Sequence, residues 1–158
     1  MKRSIARMIS LLARKSQCYI GSALSSYNLT AAEQPFFMAL QHYEGMTQEE
    51  LTAIVCVDKA ATARAVKSLE AKGFLIRVQD QTDRRQNRIY PTDAAKQLGH
   101  AVSNELLHFN DLLTQGIEPD QLELVYSALL KMEENFSVIS SDKNGEQKRE
   151  GQNDGTNE

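Results

Sequence analysis

Apolar residues recur at helical spacing over most of this chain, and one central stretch breaks the rhythm. Ile5, Met8, Ile9, Leu12, Tyr19, Ile20, Ala23, Leu24 and Tyr27 predict a long first helix, with Gly21 a weak point and Asn28-Leu29 its close. Thr30-Ala31-Ala32-Glu33 has the form of a capping box, and Pro35 then falls in the opening turn of a second helix. Phe36, Phe37, Leu40 and Tyr43 give that helix an aromatic face, and Gly45 ends it. Thr47-Gln48-Glu49-Glu50 is a second capping box, with Met46 and Leu51 placed as a hydrophobic staple. Asp58 suits the N-cap of a helix over Lys59 to Lys72, and Gly73 suits its C′ position. The inward side of that helix is expected to be Thr62, Ala65, Val66 and Leu69.

The rhythm then changes to that of a strand. Phe74, Ile76 and Val78 alternate with Leu75, Arg77 and Gln79. A wholly polar run, Asp80 to Asn87, leads to a returning strand over Arg88-Ile89-Tyr90-Pro91. Thr92 caps a long helix with the stripe Leu98, Val102, Leu106, Phe109 and Leu113, stopped at Gly116. Pro119 opens a last helix in which Leu122, Val125, Leu129, Met132 and Phe136 follow the seam pattern of helix–helix packing. From Ser137 the composition turns polar, which predicts a disordered tail.

A helix-turn-helix followed by a basic β-hairpin is a winged helix. The expected class is therefore mainly α, an α+β winged helix flanked by N- and C-terminal dimerisation helices. Residues 30–98 form the DNA-binding domain in this reading, 1–29 with 99–136 the dimerisation region, and 137–158 the tail. The outward side of the second helix of the motif carries Ala60, Ala61, Ala63, Arg64, Lys67 and Ser68, with Lys59 at its start. Small residues let such a helix approach a major groove, where Arg64 reaches guanine acceptors or a phosphate and the alanines meet thymine methyls. Thr47 and Gln48, opening the first helix of the motif, join this DNA-facing set. Arg84, Arg85 and Arg88 beside Asp83 make the hairpin a positive tip suited to phosphates or a minor groove.

Val57-Asp58-Lys59 leading into Ala63-Arg64, then Leu69-Glu70-Ala71-Lys72-Gly73-Phe74-Leu75, then Asp83-Arg84-Arg85, Arg88 and Thr92, resembles the MarR family of bacterial regulators. The likeness runs from about Ile5 to Phe136, and the Asp-Arg-Arg wing is its most specific part. It implies that Asp58–Lys72 is a recognition helix, that Arg64 contacts DNA, that Arg85 enters the minor groove, and that Asp83 braces Arg85. It also implies a homodimer held by the terminal helices, repression of transcription, and release by a small aromatic ligand between those helices and the winged helix. Tyr19, Phe36, Phe37, His42 and Tyr43 are the candidates to line that cleft. The chain departs from the family at Ala60 and Ala61, where many members carry hydroxyl groups; methyl contacts replace hydrogen bonds there.

Composition adds bounds. The 158 residues are 41% hydrophobic, enough for a normal core, and carry a net charge of −3. That charge is uneven: residues 1–98 hold most of the cations, and 99–136 hold Lys131 against seven acids. Such asymmetry suits a protein that turns one face to a polyanion. Enzymatic chemistry is not expected, because there is no nucleophile motif and no glycine-rich phosphate loop. His100 and His108 are two turns apart, too far for a helical metal pair, so neither metal nor cofactor is expected. Cys18 and Cys56 show no ligand spacing and read as ordinary packed thiols of a reduced, cytoplasmic protein. The N-terminus does not read as a secretory signal, no apolar run spans a bilayer, and a bound regulator would sit on the bacterial nucleoid. The competing reading is a winged helix used for protein–protein contact, without specific DNA binding.

Overall fold

The helix-capping signals place the elements. In a computed structural model, which describes the backbone of residues 4–150 and the side chains of residues 4–136, the order is α1 (Ile5–Ala23), α2 (Gln34–His42), β1 (Met46–Thr47), α3 (Gln48–Val55), α4 (Lys59–Ala71), β2 (Leu75–Gln79), β3 (Asn87–Pro91), α5 (Asp93–Thr114) and α6 (Pro119–Glu150). The chain divides into two units, 1–112 and 113–158. The second unit is α6 with the end of α5. The tail expected to be disordered begins at Ser137, but the backbone stays helical to Glu150; residues 151–158 lie outside the described residues.

Within the first unit, α1 ends in a short 3-10 turn, Ser25–Tyr27, closed by Asn28 in the left-handed region. Thr30 and Glu33 then bond reciprocally: the Thr30 amide donates to Glu33 Oε2 at 2.8 Å, and the Glu33 amide donates to Thr30 Oγ1 at 3.3 Å. The Thr47–Glu50 capping box forms likewise at the start of α3, and Asp58 accepts from the Ala61 amide at 2.7 Å to cap α4. Each such cap satisfies N–H groups that a helix start otherwise leaves unpaired.

One core collects the inward faces. Phe36, Phe37 and Leu40 of α2 pack with Leu51, Val66, Leu69, Leu75, Ile89 and Val102, all at most 3% exposed. Phe37 meets the Phe74 ring edge-on, with centroids 5.5 Å apart. The inward side of α4 is Thr62, Ala65, Val66 and Leu69, as its spacing predicts. Thr62 contributes more than its methyl: the Thr52 hydroxyl lies 3.0 Å from its Oγ1, tying α3 to α4 beneath the turn. Tyr43 leaves the aromatic face expected of α2. It is the C-cap, its backbone is extended, and its side chain is 53% exposed.

The sheet has three strands in the order β1-β3-β2, all antiparallel. β1, unanticipated because it is two residues long, pairs Met46 with Ile89 and Thr47 with Arg88. In β2 the buried residue is Leu75, whereas Ile76 and Val78 are half exposed. The register explains this. Leu75 faces Pro91 and Arg77 faces Ile89, so the Leu75 side looks at the core and the Ile76–Val78 side at solvent. Gly45, at φ +73°, turns the chain from α2 into β1, and a side chain there would meet the Tyr90 ring at 3.0–3.2 Å. Thr92 closes the motif: its hydroxyl donates to Gly73 O at 2.7 Å and accepts from the Ala95 amide at 3.3 Å, clasping the start of α5 to the end of α4.

Candidate nucleic-acid interface

The outward side of α4 is open. Lys59, Ala60, Ala63, Arg64 and Lys67 are exposed. Lys59 is paired with Glu49 at 2.9 Å, both side chains near 80% exposed, so the pair is loosely held. Arg64 and Lys67 extend from a helix whose opposite side is packed solidly against α2, α3 and β2. Two predicted members sit differently. Ala61 is half-buried, and Ser68 turns inward, its hydroxyl donating to Glu33 Oε1 at 2.5 Å.

That bond belongs to a buried network the sequence reading missed. Glu33, 4% exposed, receives Lys72 Nζ on both oxygens, at 2.8 and 2.7 Å, together with the Thr30 amide and hydroxyl. Burial opposes the Glu33 charge, but the bonds from Lys72, Ser68 and Thr30 together hold its carboxyl below the usual range. The result fixes the C-terminal end of α4 to the turn before α2. Only the Thr30–Glu33 cap is local in sequence; the partners on α4 lie 35 and 39 residues away.

The wing tip is also built differently from its expectation. Asp83 braces Arg85 by the backbone, accepting the Arg85 amide at 3.0 Å on Oδ1 and the Gln86 amide group at 3.1 Å on Oδ2. No bond to the Arg85 guanidinium forms among the described residues. Arg88 is not at the tip. Its Nε donates to Asp80 Oδ2 at 2.5 Å and its Nη1 to Gly45 O at 2.8 Å. Arg84 and Arg85 remain exposed at the tip. Asp80, in the sequence one more polar residue of the loop, accepts from the Thr82 hydroxyl and amide and from the Asp83 amide, at 2.6, 2.7 and 3.3 Å. Those bonds and the Arg88 pair hold its carboxyl well below the ordinary range.

Thr47 and Gln48 meet Arg85 along one notch of about 360 Å³ between the start of α3 and the wing, with Glu49, Arg77, Gln86, Asn87 and Ile89 completing it. Arg77 is a further cation, engaged with Glu70 at 2.9 Å. The five ligand candidates do not converge. Phe36 and Phe37 are core residues, Tyr19 stacks on Phe109 with centroids 5.0 Å apart, and His42 and Tyr43 border a separate open hollow. A cavity of about 410 Å³ has Phe36 in its wall but is otherwise lined by such residues as Gln17, Pro35, Val57 and Arg64. Both cysteines are exposed, against the packed reading. Cys56 is the left-handed C-cap of α3, a position that turns its side chain away from the core.

A helix packed by one side and bare on the other, with an arginine-tipped hairpin behind it, defines a winged helix-turn-helix transcription regulator. The model of the MarR family matches residues 30–86. A MarR transcriptional regulator from Methanosarcina mazei shares 31% identity over 85% of this chain and 97% of its own, with a TM-score of 0.79. The HTH-type transcriptional regulator YybA of Bacillus subtilis is 24% identical over 84% of this chain and 88% of its own. A MarR family regulator from Listeria monocytogenes, crystallised with a 26mer DNA, shares the fold at 24% identity and a TM-score of 0.80, covering 87% of this chain and 92% of its own. The chain belongs to the MarR family. No helix among the described residues is long and apolar enough to cross a membrane.

Proposed function

We propose that this regulator is a repressor that binds a pseudo-palindromic DNA site as a homodimer in the bacterial cytoplasm. The observation that carries the reading is the bare side of α4, where Lys59, Arg64 and Lys67 stand among alanines. That side enters the major groove with Arg64 reading or gripping. Arg84 and Arg85 hold the neighbouring minor groove, and Thr47 and Gln48 meet the backbone between them. The Listeria regulator, which shares the fold, is complexed with a 26mer DNA.

The dimer reading rests on apolar side chains that one copy leaves in water. Ile5, Met8 and Leu12 on α1 are 45–56% exposed, and Val125, Leu129 and Phe136 on α6 are 46–67% exposed. Covering the exposed half of each such side chain is worth roughly 1 kcal/mol, and a second copy covers both stripes while setting two recognition helices one DNA turn apart. A small aromatic effector would occupy the 410 Å³ cavity, whose wall includes Arg64, and would shift α4 against α2. The test is a titration of random-sequence duplex at several salt concentrations, with sedimentation equilibrium on the same protein. The expected result is a dimer whose affinity falls steeply with salt. A monomer, or negligible binding at low salt, would overturn the reading.

A further inference from the structure

The bonds at the base of the wing carry more than support. We propose that Asp80 is the positioning residue for the wing, and that Arg88 serves it as a tie rather than as a contact to DNA; this rests on the DNA-binding reading above.

One carboxylate closes the tip. Asp80 Oδ1 takes the Thr82 hydroxyl, the Thr82 amide and the Asp83 amide, which folds residues 80–83 into a fixed turn. Its other oxygen holds Arg88 of β3, and Arg88 reaches on to the Gly45 carbonyl at the α2–β1 turn. Glu50 of α3 lies 4.0 Å from the same guanidinium. The tie therefore links the wing to the frame that carries the recognition helix. The backbone closes in step: the Asp80 amide donates to Gln86 O, and Gln79 donates to Arg84 O at 2.8 Å. A hairpin tip held this way presents Arg84 and Arg85 in one place. Without Asp80, the eight polar residues of the tip sample many arrangements, and binding is weakened by the fraction of time the competent one is populated.

Arg88 counted as a phosphate contact would make a different prediction, and salt separates the two. Each lost phosphate contact lowers the slope of log affinity against log salt by about 0.9. Asp80→Ala and Arg88→Gln should each weaken duplex binding about tenfold, as for a tip competent a tenth of the time, with the slope unchanged. Amide exchange at Thr82 and Asp83 should quicken in both. Asp80→Asn keeps an acceptor and should recover part of the affinity, and Thr82→Val, which removes one bond and leaves the tie, should lose less than Asp80→Ala. A flattened slope in Arg88→Gln, or unchanged exchange at Thr82 and Asp83 in Asp80→Ala, overturns the proposal. Wild-type protein that binds no duplex overturns the DNA reading instead, and the exchange measurement still reads the tie by itself.

Discussion

Replacing Glu33 by Gln tests whether the recognition helix is anchored from below. The carboxylate is 4% exposed and takes both oxygens' worth of Lys72 at 2.7–2.8 Å, plus Ser68 and Thr30. Glutamine keeps the shape but leaves the Lys72 charge facing a neutral amide. Breaking a buried pair from one side costs about 3–5 kcal/mol. The Lys72 side chain is 20% exposed and can turn partly to water, so the low end applies, ~3 kcal/mol. For a chain of this size that is a fall in melting temperature of roughly 6–12 °C. Urea unfolding followed by circular dichroism, at fixed protein concentration, reads it. The pH dependence has a defined sign. The folded carboxyl is held below its ordinary value, so its contribution is full above the unfolded pKa of about 4.3 and is lost as pH falls through the folded one. The gap between wild type and Glu33→Gln should therefore be constant near neutrality and shrink below about pH 4. The double variant Glu33→Gln/Lys72→Met should cost less than the two single changes added together, because no unpaired charge remains. A loss under about 1 kcal/mol, or a gap indifferent to acid, would refute the anchor.

Other expectations follow from the same geometry. Arg85→Ala should weaken binding across all duplexes and flatten the salt dependence by about 0.9 in slope, read by fluorescence anisotropy at several salt concentrations; an unchanged slope removes Arg85 from the contact. Arg64→Ala should cost about 1–3 kcal/mol and relax preference at one position per half-site, and an unaltered preference profile would reduce it to a surface charge. Cys56, exposed at the helix turn, should react with a thiol reagent in the native protein; labelling that needs denaturant would place it inside.

Local signals were the legible ones. Thr47 with Glu50, and Asp58 before α4, announce helix starts within four residues of themselves, and the spacing of Thr62, Ala65, Val66 and Leu69 predicts the packed side of α4, which the fold then buries. The Asp-Arg-Arg run marked the wing. What escaped was set by pairing across distance. Glu33 looks like a capping residue until α2 and α4 are packed together, and Arg88 looks like a third tip cation until the β2–β3 register sets it opposite Val78, beside Asp80. Strand β2 offers apolar residues on both sides, so alternation alone could not choose Leu75 over Ile76 and Val78. Cys56 and Tyr43 are both caps, where backbone angles rather than helical period decide which way a side chain leaves.

Selection of bound sequences from a pool of random duplexes reads whether two recognition helices act together. A homodimer seated on DNA enriches a two-fold symmetric site, its halves about 10 base pairs apart centre to centre, with flanking preference where the wings enter the minor groove. Enriched sequences sharing no two-fold symmetric element would contradict it.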